Sequence, residues 1–420
     1  MGRFLPTCRC LGSEAFEPLS AAVKRVVIPV LFYHPDRPSG ADRLGYDEAQ
    51  YLARLGHEVW VVAQDARGDQ PEYAFRDGLH VLHYSVPRIG MFSPKRRTIH
   101  QQRVRDLLSK HVGNKVDLVH GQTLLGYDAA LSLYGDRTRT CYSVHSPVKL
   151  EMLAESRGLP LGVRLKQFIT AQVTHRIERR CLVRSTVITS DSSFTQSVIG
   201  RLHKASLREK TQVVPGWVEV DRFQIAEDRA GIKRKLGWSS KVPVFFTLRR
   251  LVPRNGIDNL LKALRKVRDR GYDFQMMIGS TGSMMDKLKK LNSELGLEDR
   301  IHFLGRVSDE DMMLMYAAAD VFLLPTAELE CFGLIILEAF ASGRPVLATP
   351  VGAIPEIVAQ VEPQWLARDS SVDSIAELIE RYLGGQIPEH APQELRNFVA
   401  ARYSSEKVIP RLVKAALGES

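Results

Sequence analysis

Cysteine is scarce in this chain, with five in 420 residues: Cys8, Cys10, Cys141, Cys181 and Cys331. They are odd in number and scattered, which excludes a disulfide framework and fits a reducing cytosol. Cys8 and Cys10 are close together, but one such pair does not supply four zinc ligands. Long apolar runs are also lacking. The longest, Val26 to Tyr33, spans eight residues and contains Pro29, whereas a membrane-spanning helix needs about 20. The N-terminal stretch Phe4 to Gly12 is short and broken by Arg9, so it does not read as an export signal. No low-complexity segment and no tandem repeat is visible. With 44% hydrophobic and 25% charged residues, the chain reads as a globular protein of two or three domains.

Acidic residues are under-represented in one half only. The net charge of +10 lies entirely in residues 1–220, and residues 221–420 balance at zero. The densest basic stretch holds Arg164, Lys166, Arg176, Arg179, Arg180 and Arg184, opposed only by Glu178. Lys95, Arg96, Arg97, Arg103 and Arg105 form another. A solvated basic face and attraction to an anionic bilayer both account for this. Nucleic acid is not expected as a partner, because no helix-turn-helix, zinc finger or aromatic RNA-binding signature accompanies the charge.

Short β-branched runs alternate with helix-period stretches. The runs are Arg25–Phe32, Glu58–Ala63, Leu79–Tyr84, Val116–His120, Thr138–Val144 and Thr186–Thr189, with helical patterns such as Tyr46–Leu55 and Arg96–Lys110 between them. A second series follows Pro215-Gly216-Trp217: Val244–Leu248, Phe274–Ile278, Ile301–Leu304, Val321–Leu324 and Pro345–Ala348. Such alternation predicts parallel sheets covered by helices. Two open α/β domains meeting near residue 218 fit best, with ligands at the C-terminal ends of the strands. The expected division is a tail over 1–22, a first domain over 23–218 and a second over 219–400. A last helix over 401–420 is expected to pack back towards the first domain.

The richest segment runs from Pro325 to Val358. A strand ends in the loop Glu328-Leu329-Glu330-Cys331-Phe332-Gly333 and then enters a helix through Leu334 and Ile335. Glu330 precedes that helix and Glu338 falls inside it. A carboxylate can accept two hydrogen bonds side by side, which suits a vicinal diol. The free N–H groups at Gly333 to Ile335 form an anion site. Together these describe a place for a sugar nucleotide. A well-capped helix with exposed glutamates would give the same letters. Glu338 among apolar residues argues against that, since an unpaired buried carboxylate is costly.

This segment resembles the retaining glycosyltransferases of family 4, which have the GT-B fold: two Rossmann-like, doubly wound parallel-sheet domains facing a cleft. Glu330 and Glu338 carry the family's Glu-x7-Glu spacing, and the flanking Phe332-Gly333-Leu334 and Glu338 to Val346 follow its pattern. The resemblance extends to Leu55-Gly56-His57-Glu58-Val59, Val214 to Phe223, Ile301 to Arg306, Ala318-Ala319-Asp320 and Gly352 to Ile357. It implies that Glu330 holds donor-sugar hydroxyls and Glu338 the ribose. Backbone N–H groups at Phe332, Gly333, Leu334 and Ile335 would meet the sugar and the diphosphate, and Arg306 and Val307 the base. Arg250 matches the family arginine that neutralises the diphosphate, a role suited to a fixed, forked cation. The family's lysine five residues later is here Asn255, which brings no charge; Arg254 or Arg249 is the candidate replacement. Gly40, in Pro38-Ser39-Gly40-Ala41-Asp42, is what remains of a paired-glycine loop. His145 matches a histidine facing the donor sugar, and Asp191-Ser192-Ser193-Phe194 follows another strand.

The resemblance therefore implies an enzyme moving a hexosyl unit from a nucleotide sugar to a hydroxyl with retention. A UDP-sugar is the first expectation and a GDP-sugar the second. The product would belong to glycolipid, polysaccharide or cell-envelope glycan synthesis. No Asp-x-Asp pair is placed to bridge a metal to the diphosphate, so no metal or other cofactor is expected. A lipid-linked acceptor and an anionic membrane surface fit the basic half, placing the protein in the cytoplasm or at the inner face of the cell membrane. The alternatives are a GT-B epimerase or phosphorylase, or a non-catalytic sugar-nucleotide or membrane-surface binding protein, which Asn255 would explain.

Overall fold

A computed structural model describes residues 23–34, 40–65, 67–86, 94–157 and 160–419. The expected tail, with Cys8 and Cys10, lies outside the described residues, as do Pro38 and Ser39. The first sheet contains β1 (Arg25–Pro29), β2 (Glu58–Gln64), β3 (Tyr73–Arg76), β4 (Leu79–Tyr84), β5 (Leu118–Gly121), β6 (Arg139–Val144), β7 (Val187–Ser190) and β8 (Thr211–Val213). Their order is β3-β4-β2-β1-β5-β6-β7-β8, and only β3 runs antiparallel to its neighbour. The second sheet contains β9 (Val244–Leu248), β10 (Gln275–Gly279), β11 (Ile301–Gly305), β12 (Val321–Leu324) and β13 (Val346–Ala348), ordered β11-β10-β9-β12-β13 and all parallel. The protein has the GT-B architecture anticipated from the alternation and the resemblance.

Continuous apolar strands form because both faces of each sheet are covered. In β1, Val26 and Ile28 face one layer and Val27 the other, and all three are fully buried. The helix Ser405–Leu417 completes the first of these layers. Its Val408, Ile409, Leu412, Val413 and Ala416 recur at helical spacing and pack with Val26, Ile28 and Val59. The last helix of the chain therefore belongs to the N-terminal core. The chain crosses between domains twice, and the crossings lie side by side: Val218 N–H donates to the Tyr403 carbonyl at 2.9 Å, and Ser405 N–H to the Val218 carbonyl at 3.2 Å.

Several boundaries differ from the sequence pattern for local reasons. β1 was expected to reach Phe32 but ends at Pro29, because the N–H groups of Leu31 and Phe32 turn to the Asp42 carboxylate (2.9 and 3.1 Å). β3 is a half-exposed edge strand and β8 has three residues, so neither leaves a strong apolar run.

Candidate active site

The C-terminal ends of β9 and β12 and the start of the helix Leu334–Ala341 converge at the interdomain cleft. The loop after β12 is held tightly. Ala353 N–H donates to the Glu330 carbonyl at 2.8 Å, and a Cβ on Gly352 would sit 2.1 Å from that oxygen, so only glycine fits there. This fixes the backbone of Glu330. Its carboxylate accepts from Arg249 Nη2 at 2.6 Å and from Thr326 Oγ1 at 3.3 Å, and Arg249 also donates to Thr326. Arg249 is buried, not a surface charge. Burial lowers its pKa, and the Glu330 carboxylate opposes that. Sequence reasoning missed this pair; the only signal was an arginine doublet ending a buried strand.

Glu338 lies one turn inside the helix, where its carboxylate accepts from Tyr316 Oη at 2.8 Å. Burial raises its pKa, against the effect of that hydrogen bond. Phe332 is buried. Leu334 reaches the linker and the facing domain at once: a Cβ on Gly216 would sit 2.9 Å from it, and one on Gly40 would sit 3.4 Å away. Gly40 begins the helix Gly40–Arg54. Two helix N-termini thus face each other across the cleft, a favourable place for a diphosphate. Arg306 is exposed just beyond β11, while Val307 lies beside Gly279 on the neighbouring strand. Ile335 is partly buried in the first turn of the helix.

Arg250 and Arg254 reach the other way. Arg250 pairs with Glu151 at 3.0 Å and Glu155 at 2.8 Å, both on the helix Val148–Glu155 of the N-terminal domain. Arg254 lies 3.4 Å from Glu151 and 3.7 Å from Glu155, and donates to the Leu329 carbonyl at 3.0 Å. Arg157 pairs with Glu328. These ion pairs tie the two domains together in this state. Asn255 is buried, and its Nδ2 donates to the Arg250 carbonyl at 2.6 Å while its Oδ1 finds no partner among the described residues. At this position the side chain braces the backbone of Arg250.

His145 stands just beyond the C-terminal end of β6. Its Nδ1 meets Asp191 Oδ2 at 2.9 Å and its Nε2 meets Gln122 Oε1 at 2.7 Å. The amide of Gln122 is oriented by its Nε2, which donates to the buried Glu48 at 2.5 Å. Both partners of His145 are then acceptors, so the ring must donate from both nitrogens, as an imidazolium. Burial works against that charge, but Asp191 overrides it and raises the pKa. Glu48 also meets His120 Nδ1 at 2.5 Å, and His120 Nε2 meets Ser143 Oγ at 2.8 Å. A cavity of about 400 Å³ opens beside this chain, lined by Gln122, His145, Met152, Glu151, Glu155 and Arg250 among others. The structure thus brings Glu330, Glu338, Phe332, Gly333 and Leu334 to the C-terminal wall of the cleft, with Gly40 facing Leu334 from the other wall. His145, Arg250 and Arg254 border the N-terminal cavity.

Two facing parallel-sheet domains, with paired carboxylates and opposed helix ends between them, define a GT-B enzyme built for a sugar nucleotide. Comparison with known proteins narrows this. Residues 228–405 match the model of glycosyl transferases group 1, and residues 38–222 that of glycosyltransferase family 4. The chain belongs to this family of retaining, nucleotide-sugar-dependent glycosyltransferases. It is 27% identical to a Mycobacterium tuberculosis GDP-mannose-dependent alpha-(1-6)-phosphatidylinositol monomannoside mannosyltransferase, over 86% of this chain and 89% of that one. It is 34% identical to a Corynebacterium glutamicum GDP-mannose-dependent monoacylated alpha-(1-6)-phosphatidylinositol monomannoside mannosyltransferase, over 49% of this chain and 56% of the relative's length. Among solved structures, sucrose-phosphate synthase from Thermosynechococcus elongatus shares the fold with a TM-score of 0.78 at 18% identity, covering 93% of this chain and 98% of that one. A glycosyltransferase from Rickettsia africae does so with a TM-score of 0.68 at 17% identity, covering 95% and 100%.

Proposed function

We propose that this enzyme transfers a mannosyl unit from GDP-mannose to a hydroxyl of a lipid-linked acceptor at a membrane surface. The observation that carries the reading is the partly buried pair Glu330 and Glu338, before and inside the helix Leu334–Ala341, each carboxylate held by a buried side chain, Arg249 and Tyr316. Relatives that are GDP-mannose-dependent and act on phosphatidylinositol mannosides favour a GDP-sugar over the UDP-sugar expected first. The acceptor hydroxyl would enter through the cavity beside His145.

In this mechanism the anomeric C–O bond to the diphosphate breaks, and the acceptor oxygen bonds to the same face of the sugar. The acceptor proton passes to the departing phosphate oxygen, so no side chain need be a strong base. Glu330 would hold sugar hydroxyls while Arg249 fixes its carboxylate, and Glu338 would hold the ribose. Arg250, released from Glu151 and Glu155, would neutralise the leaving group. Both nitrogens of His145 are already engaged, so it would contribute cationic charge and shape unless Gln122 yields one N–H. With three arginines at the site we propose metal independence.

The test is transfer of radiolabelled mannose from GDP-mannose into lipid extract, with UDP-glucose as the competing donor, in buffer with EDTA. Label should enter the lipid fraction from GDP-mannose, and Glu330→Gln should abolish it. Incorporation from the UDP-sugar alone would overturn the donor assignment. A requirement for added manganese would overturn metal independence.

A further inference from the structure

Nine large apolar side chains are exposed among the described residues, and six of them lie on one helix, Leu161–Arg184. At 24 residues that helix is about 36 Å long. From Ala171 onward it is anchored: Ala171, Thr174, Ile177, Glu178, Cys181 and Leu182 are buried at helical spacing. The stretch before it, from Leu161 to Thr170, has no buried residue. Leu161, Leu165, Phe168 and Ile169 are 79%, 61%, 49% and 57% exposed. At about 100° per residue these four fall on one face. Arg176 and Arg179 continue the same face towards the C-terminus, with Arg180 at its edge, and all three are exposed. The helix's one acidic residue, Glu178, points inward, accepting from Val148 N–H at 3.2 Å and meeting His203 Nε2 at 3.2 Å.

The geometry points to this face as a bilayer-docking surface, its Leu161–Ile169 end seated among lipid acyl chains and its arginines on anionic headgroups. The inference rests on the proposed lipid-linked acceptor. An apolar stripe running into a basic one on a single helix is the pattern of an interfacial helix. A symmetric second copy would bring like charges close together, whereas an anionic membrane complements both parts. Position agrees. The helix packs against Val148–Glu155, whose Glu151, Met152 and Glu155 line the N-terminal cavity. A lipid held at the stripe would have its headgroup beside the cavity mouth.

The test is cosedimentation of the full chain with phosphatidylcholine vesicles, with and without phosphatidylglycerol. Wild type should sediment with the anionic vesicles and be released by salt. The double variant Leu165→Glu, Phe168→Glu should lose affinity by about tenfold or more even at low salt. Arg176→Glu, Arg179→Glu should lose it mainly on anionic vesicles. Phe75→Glu, at an exposed site on β3, should bind as wild type. Equal sedimentation of Leu165→Glu, Phe168→Glu and wild type would overturn the helix assignment while leaving the lipid acceptor in place. A wild type that ignores both vesicles yet transfers mannose to a soluble acceptor would overturn the membrane part of the function itself. A dimer in analytical ultracentrifugation that the double variant converts to monomer would assign the face to a second copy instead.

Discussion

In the C-terminal domain the buried and half-buried polar groups near the cleft come in short, separate units: Arg249 with Glu330 and Thr326, and Tyr316 with Glu338. In the N-terminal domain they form a chain of seven side chains, Thr189-Ser143-His120-Glu48-Gln122-His145-Asp191, linking three strands, three loops and a helix. A short unit can be broken and re-formed by a ligand that offers the same hydrogen bonds. A long chain fixes every member at once, since removing one leaves its neighbours buried and unpaired. The donor side is therefore built to exchange partners, and the acceptor side to hold one arrangement.

The largest expected effect tests the exchange. Glu330→Gln should lower kcat by about a hundredfold or more, since the carboxylate would meet the sugar as charge develops. Glu330→Ala should also cost about 3 kcal/mol of stability by leaving Arg249 buried and uncompensated. Arg249→Met combined with Glu330→Ala should recover most of that stability and none of the turnover. Chemical denaturation of Glu330→Ala, Arg249→Met and the double variant measures this. Costs that simply add would mean the pair is not a unit.

Next comes the chain. Glu48→Gln should cost about 2–3 kcal/mol, because His120 loses its counter-charge in a fully buried position. Burial alone would lower the pKa of His120, but the Cys141 thiol and Glu48 carboxylate hold it well above the usual value. His145 is raised as well. Groups raised in the folded state stabilise it fully below their unfolded pKa, about 6.5 for histidine, and that share is lost as pH rises through the folded value. Asp47, pushed up to about 7 by burial, has the same sign. His34 and His175, each lowered to about 4 mainly by burial, act oppositely and cost stability as pH falls below about 6.5. All these groups lie in the N-terminal domain. Hydrogen exchange at about pH 7 and pH 9, corrected for intrinsic rates, should show β1, β5 and β6 loosening while β9 and β12 stay protected. Equal loosening of both sheets would erase the contrast.

The same contrast decides what could be read from the letters. Glu330, Gly333 and Glu338 lie within nine consecutive residues, so their spacing was legible. The strand alternation exposed both sheets for the same reason, since each signal is local. Arg249 and Glu330 are 81 positions apart, and the N-terminal chain draws on positions 48 to 191. Nothing local marks Glu48 as the partner of His120. Leu161, Leu165, Phe168 and Ile169 have the spacing of a core-facing helix; only the fold reveals that this face is uncovered. Asn255 stood out as a missing charge, but its bond to the Arg250 carbonyl needed coordinates.

The smallest effect on stability concerns the ion pairs between the two halves. Arg250 is more than half exposed, and Glu151 and Glu155 are about one-third exposed. Such pairs contribute about 0–1 kcal/mol each, so Glu151→Gln, Glu155→Gln should scarcely move the melting temperature. Donor binding should respond differently. In the proposed mechanism a diphosphate must take Arg250 away from two carboxylates, and that competition weakens the apparent affinity. Removing the carboxylates should therefore tighten GDP binding several-fold, with a shallower salt dependence, as read by calorimetry. Arg250→Gln should weaken it in the same assay. If the glutamate variant instead binds GDP more weakly, the pairs hold the cleft in its binding-competent form, and the two halves cooperate where they are now expected to compete.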